Sequence, residues 1–274
     1  MQRITSRQNP LVARFREVAR GGSPELLLLD GTHLVSEALA AHIPVHQAVV
    51  SSDAVARPDV LAILDELARR GIDIAVASAP VMDAISPVRS ASQLVAIGER
   101  PAHDSERVYG RGQALLVLAA DVQDPGNVGA IVRVAEASGA GGVIAAGISA
   151  NPFGWKALRG SMGSALRLPV AIDPDTARAV DEARRRGYRL VATVPRGGQS
   201  HVDADLRGPV VIIVGGEGPG ISQHLVNTTD VRVTIPMEPP VESLNAAVAA
   251  AVLVYEARRQ RMAGTRDRRL TIDD

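Results

Sequence analysis

The chain has 274 residues, a formal net charge of +0, a hydrophobic fraction of 46% and an aromatic fraction of only 2%. That length accommodates two domains with cores of Ala, Val, Leu and Ile, and the charge balance excludes a uniformly basic nucleic-acid coat while leaving room for a local basic patch. The absence of cysteine excludes a disulfide framework, a thiolate nucleophile and a Cys-ligated metal.

The N-terminus, MQRITSRQNP, has no apolar core of a signal peptide, and no stretch is long and apolar enough to span a bilayer. A cytoplasmic protein with no membrane attachment is the expectation. Residues 10–98 alternate two patterns. Helical periodicity covers 10–20, 31–41, 54–70 and 79–85, with short apolar runs at 25–30, 45–50, 72–76 and 93–98. This predicts a small α/β domain over 1–98. Arg7, Arg14, Arg16 and Arg20, in and just ahead of the first helix, face a single acid, Glu17. Clustered charge of one sign makes a local field, so Arg7, Arg14 and Arg16 are candidate RNA contacts; a solvated helix face is the alternative.

The stretch 99–113, ERPAHDSERVYGRGQ, mixes Pro, Gly and both charge signs without hydrophobic periodicity and is predicted to be a linker. From 114 the pattern strengthens, with strands expected at 114–120, 142–146, 189–193, 209–214 and 231–235 and helices near 127–138, 176–187 and 243–262. Strands separated by helices imply a largely parallel sheet covered on both faces, in a second domain over 114–263. The charged tail 264–274 has no apolar stripe and is expected to be disordered.

Three segments of the second domain carry the chemistry. In DVQDPGNVGAIVRVAEASGAGGV (121–143) a strand turns through Asp124-Pro125-Gly126 into a helix, with Asn127 expected at or beside the N-cap. Val128, Ile131, Val132 and Ala135 form its core stripe, and Arg133 falls off that stripe. In VVIIVGGEGPGIS (210–222) consecutive glycines end a strand and permit close approach to the backbone. No Lys-Ser/Thr follows them, so the loop is no P-loop, and its spacing and position fail the dinucleotide fingerprint of an oxidoreductase. Glu217 in this loop is either a turn-stabilising or a functional carboxylate. In VTIPMEPPVESLNAAVAAAVLVYEA (233–257) Ser243 is the expected N-cap of an alanine-rich helix, against which something must pack closely. Asn245 has no propensity reason to stand in its first turn. The histidines, with Pro44 between His42 and His46, suggest no metal.

Taken together, N-V-G-A-I-V-R (127–133), G-G-E-G-P-G-I (215–221) and I-P-M…S-L-N-A-A-V-A (235–249) resemble the three motifs of the SpoU (TrmH-like) RNA ribose methyltransferases of the SPOUT superfamily. The likeness extends through NPFGWKALRGSMGSALRLPV (151–170) and LVATVPRGG (190–198). ITSRQNPLV and ISPVRSASQLVAIGE (85–99) are similar to the small substrate-binding domain that often precedes the catalytic part. The resemblance implies a SPOUT-type, mostly parallel α/β sheet with a C-terminal trefoil knot, preceded by a small RNA-binding α/β domain. It implies S-adenosyl-L-methionine held bent, mainly by backbone at Thr193, Gly215, Gly216, Ile235 and Leu244, with Glu217 and Met237 completing the set. Val194 stands where a small or polar residue would be expected. Arg133, with Asn127, Ser243 and Asn245, matches the family's catalytic group. Methyl transfer to a ribose 2′-hydroxyl needs in-line approach and removal of a proton. Guanidinium groups stay protonated in proteins, so orientation of RNA phosphate and hydroxyl is the economical role for the arginine. A homodimer using the alanine-rich helix and a 23S rRNA substrate are implied, including the subgroup that confers thiopeptide resistance. A tRNA 2′-O-methyltransferase and a noncatalytic RNA-binding protein of the same fold are the alternatives.

Overall fold

The computed structural model describes residues 1–110, 115–218 and 220–270, with side chains through 263. The chain divides into two compact units, Met1–Pro101 with Phe153–Arg167, and Ala102–Pro152 with Leu168–Asp274.

The first unit opens with β1 (Gln2–Ile4), α1 (Pro10–Ala19), β2 (Leu26–Asp30), α2 (Thr32–Ala40) and β3 (Val45–Ser51). It continues through α3 (Pro58–Arg69), β4 (Asp73–Ala77), α4 (Ala79–Ile85) and β5 (Leu94–Glu99). Prolines at the starts of α1, α3 and α4 occupy positions where no backbone donor is needed. Pro58 therefore opens the helix that periodicity alone placed from 54. The strands lie in the order β1-β4-β3-β5-β2, with β5 antiparallel to both its neighbours. Leu28, Val49, Val95 and Ile97 meet Phe15 of α1 and Met82 of α4 on one face of the sheet. Strand alternation turns Leu27 and Leu29 to the other face, where α2 packs on β2 and β5.

The second unit begins with α5 (Ser105–Tyr109), inside the stretch predicted to be an irregular linker. Asp104 caps it, its side chain accepting from the Arg107 amide at 3.0 Å. Val108 and Tyr109 are buried in the core, and burial pushes the Tyr109 hydroxyl pKa well up. A five-residue helix is too short to show a period. Then come β6 (Leu115–Ala120), α6 (Pro125–Ser138) and β7 (Gly142–Ala146); after α7 (Trp155–Ser161), which belongs to the first unit, follow β8 (Val170–Asp173), α8 (Thr176–Arg185) and β9 (Arg189–Thr193). Last are β10 (Gln199–Ser200), β11 (Val210–Gly215), α9 (Gln223–Thr228), β12 (Val231–Thr234) and α10 (Ala246–Leu270). The seven strands are all parallel, ordered β10-β12-β9-β11-β6-β7-β8. One face carries α5, α8 and Leu225 of α9, and α6 and α10 pack together against the other. Ala246, Ala247, Ala250 and Ala257 are buried on α10. Their missing bulk lets α10 lie close to α6, as the alanine run predicts.

The segment Phe153–Arg167, expected within the second domain, joins the first unit instead. Trp155 packs on the α1–α4 core, the Arg100 guanidinium lies 4.6 Å over the Phe153 ring, and Arg159 pairs with Asp30 at 2.8 Å. Residues 111–113 of the expected linker and the tail 264–274 lie outside the residues whose side chains are described. Among the described residues no helix is long and apolar enough to cross a membrane.

Candidate active site

In the parallel sheet β11 inserts between β9 and β6, so successive connections leave in opposite directions at the carboxyl ends of these strands. Open α/β sheets form ligand crevices at such switch points. A cavity of about 370 Å³ lies there. Thr193 at the end of β9, Gly215 at the end of β11, Gly216 and Glu217 just after it, and Ile235 and Met237 after β12 all line it, as do Ser243, Leu244 and Asn245 ahead of α10. Every residue singled out as a cofactor contact from the sequence is in this wall. Val194 and Pro195 contribute to it as well. Val194 donates its amide to the Val233 carbonyl at 2.9 Å, so its place is fixed by backbone and its side chain adds apolar wall.

The glycines serve a need beyond the one the sequence suggested. After β11 the chain folds back, and Gly216 bridges Gly220. A Cβ on Gly215 would run into the backbone of Gly220 and Ile221, and one on Gly216 into the carbonyl of Asp121. Close approach of protein to protein by itself requires glycine at both. Gly218 and Gly220 have φ of +89° and +64°, and a Cβ at either would meet nothing within 4 Å. There it is the left-handed backbone that favours glycine. Gly216→Ala is expected to displace this loop from β6 and to weaken ligand binding in the cavity by at least about tenfold, since neither backbone can yield without moving its strand. Calorimetry on the variant, with circular dichroism to confirm folding, checks this; unchanged affinity would show that the loop adapts.

Two capping assignments change. Asp124, not Asn127, caps α6, and its Oδ1 accepts from the Asn127 amide at 2.9 Å. Asn245, not Ser243, caps α10, its Oδ1 accepting from the amides of Ala247 at 2.9 Å and Val248 at 3.3 Å. Both asparagines are thereby held for a second task. Asn127 Nδ2 donates to Glu217 Oε1, and Asn245 Nδ2 donates to Asn127 Oδ1 at 2.9 Å. The amide orientations support one another. A carboxylate can only accept, and the helix amides can only donate, so each asparagine has one way to face. Residues from all three motif segments thus form one chain of contacts, Glu217–Asn127–Asn245, although Asn127 itself does not line the cavity.

Arg133 is exposed on α6, outside the cavity lining, and has no hydrogen-bond or ion-pair partner among the described residues. Val128, Ile131, Val132 and Ala135 are buried as the helical stripe predicts. In the first unit, Arg7 Nε donates to the Pro80 carbonyl and Arg16 Nε to the Ala84 carbonyl, each at 2.8 Å. Two of the three proposed RNA contacts therefore also pin α1 and the residues just ahead of it to α4, whereas Arg14 is exposed and has no partner among the described residues. From the sequence Asp124 is placed in the turn and not at the cap, although an Asp directly before a proline is a helix-start signal.

Residues 114–255 match the SpoU rRNA Methylase family, and residues 28–96 match the RNA 2′-O ribose methyltransferase substrate-binding family. An uncharacterized tRNA/rRNA methyltransferase of Synechocystis is 34% identical over 266 residues, 96% of this chain and 95% of that one. The 23S rRNA (guanosine(2553)-2′-O)-methyltransferase RlmP of Bacillus subtilis is 30% identical over 261 residues, 94% of this chain and all 100% of the other. The crystal structure of the SpoU methyltransferase AviRb from Streptomyces viridochromogenes, in complex with the cofactor AdoMet, superimposes with a TM-score of 0.81 at 29% identity. It covers 93% of this chain and 99% of its own.

Proposed function

Because the chain belongs to the SpoU rRNA methylase family and is an RNA 2′-O-ribose methyltransferase, we propose that its cavity holds S-adenosyl-L-methionine and that its substrate is 23S rRNA. The observation that carries this reading is the convergence of the three motif segments on one cavity of the second unit. The walls suit that donor. Its volume falls within the range of about 300–1,000 Å³ usual for small-molecule sites. Val214, Ile221, Ile235 and Leu244 offer apolar flanks for a purine, Gly215, Gly216, Gly218 and Gly220 offer backbone polar groups, and Glu217 offers a carboxylate to a cation.

When bound, the donor supplies an electrophilic methyl group on a sulfonium. The protein's part is to hold a ribose 2′-oxygen in line with that group and to let the hydroxyl proton leave. Ser243 and Asn245, both in the cavity wall, hold the reacting end, and Asn127 fixes Asn245 and Glu217 in their orientations. Arg133, with its guanidinium unspent, grips RNA phosphate and orients the hydroxyl. The proton passes to a phosphate oxygen or to water held by Ser243 and the asparagines.

A homodimer belongs to the same proposal. Val248, Tyr255 and Met262 on α10 are about half exposed, at 49%, 48% and 52%, and lie seven residues apart along one helical face. A second copy covering this stripe would also bring α6, which packs along α10, to the interface. The C-terminal trefoil knot is proposed on the resemblance, with the position of β12 beyond β9 in its favour. Arg7, Arg14 and Arg16 are proposed to face RNA. An rRNA substrate would place the enzyme in the cytoplasm.

The test is incubation with labelled S-adenosyl-L-methionine and total RNA, followed by mapping of the modified nucleotide. A 2′-O-methyl group in 23S rRNA is the expected result. Label in tRNA would overturn the substrate and keep the chemistry; donor binding with no label in any RNA would support a noncatalytic RNA-binding protein.

A further inference from the structure

Among the described residues lining the cavity, Glu217 alone carries an ionisable side chain; glycine, aliphatic, Ser, Thr and Asn residues make up most of the remainder. Among the described residues no cation pairs with that carboxylate. Its hydrogen-bond donor is the neutral amide of Asn127, which is itself oriented by Asn245 and, through Asn245, by the first amides of α10. The cavity therefore presents one uncompensated negative charge, held in place by neutral groups that do not cancel it.

The reaction assigned to this site changes the charge of its ligand. Methyl transfer breaks the sulfur–methyl bond, leaves its electron pair on sulfur, forms a bond from the methyl carbon to the 2′-oxygen and releases the hydroxyl proton. A cationic sulfonium becomes a neutral thioether. On the reading that this cavity is the donor site, we propose that Glu217 distinguishes the donor from S-adenosyl-L-homocysteine by charge. It raises donor affinity selectively, so that loss of the methyl group itself loosens the product. Unit charges several ångströms apart in a partly open protein site attract enough to change affinity by about tenfold, and the effect weakens with salt. No other described wall residue carries an ionisable side chain, so Glu217 is the strongest means the wall has of making this distinction.

Glu217→Gln tests the proposal, as the glutamine carbonyl can still accept from Asn127 while the charge is gone. Calorimetry on the full chain would measure both ligands against wild type and variant. The expected result is donor affinity weakened about tenfold, with product affinity within about twofold of wild type. Equal losses for both ligands would assign Glu217 a purely positioning role and overturn the proposal, as would no change in either. Should the variant fail to fold, the wild type alone decides: its donor-to-product affinity ratio must fall as salt is raised, and a salt-independent ratio overturns the proposal. Wild-type protein that binds neither ligand would overturn the donor-site reading and this inference with it.

Discussion

Arg133→Ala is expected to lower kcat/KM for RNA methylation by about 10³-fold while leaving the unfolding midpoint and donor affinity essentially unchanged. Arg133 is exposed and partnerless among the described residues, so its removal vacates no packed space and orphans no buried group. It lies outside the cavity wall, so donor binding has no direct need of it. What it retains is an unspent planar fork of donors, suited to bidentate contact with phosphate. Lysine supplies the charge without the fork, so Arg133→Lys is expected to recover less than about a tenth of the lost rate. The split between parameters carries further information. A grip on RNA made equally before and during the reaction would appear in KM, whereas orientation of the 2′-hydroxyl would appear in kcat. Near-normal turnover for Arg133→Lys, with only a shifted pH optimum, would sink orientation by the fork. A parallel fall in donor affinity would place Arg133 in the cofactor site instead.

What the sequence made legible, and what it hid, follows from the range of the interactions involved. Long amphipathic elements with proline or Asx starts were readable, and β7 and β9 fall where the apolar runs place them, at Gly142–Ala146 and Arg189–Thr193. Several of the shortest elements were not. β1, α5, β8 and β10 are too short to display a period and owe their conformation to neighbouring strands or to tertiary burial. The motifs located the cavity wall because each loop's composition is local. Their internal assignments erred where several capping residues stand close together, as in Asp124-Pro125-Gly126-Asn127 and Ser243-Leu244-Asn245. Either candidate could satisfy an N-terminal amide, and the backbone path that decides between them is not written in the local pattern. Asn127 reaches Glu217 across 90 residues and Asn245 across 118, and no local pattern encodes such pairs. The demand for glycine at 216 was hidden in the same way, because the carbonyl that excludes a side chain there belongs to Asp121, on a distant strand end.

The membership of Phe153–Arg167 in the first unit has a measurable consequence: Arg159→Met should destabilise that unit by about 3 kcal/mol. Asp30 ends β2 with its side chain fully buried, at 0% exposure. It is satisfied by two donors, Ser86 Oγ on Oδ1 at 2.8 Å and Arg159 Nη1 on Oδ2 at 2.8 Å. Removing the guanidinium leaves a desolvated carboxylate with one oxygen unmet, which costs more than the pair itself contributes. Arg159 is 44% exposed, so water can partly replace it, and the lower end of the range usual for buried pairs is appropriate. Adding Asp30→Asn should recover more than half the loss, because a neutral amide is far cheaper to bury than an unpaired carboxylate. With two compact units a single unfolding transition cannot be assumed, so hydrogen exchange at β2 and α7 is the appropriate measure. Faster exchange confined to the first unit, with donor affinity unchanged, is the expected pattern. A double variant no more stable than Arg159→Met would show that Asp30 does not need its cation. In that event the segment would be held by Trp155 and Phe153 packing alone.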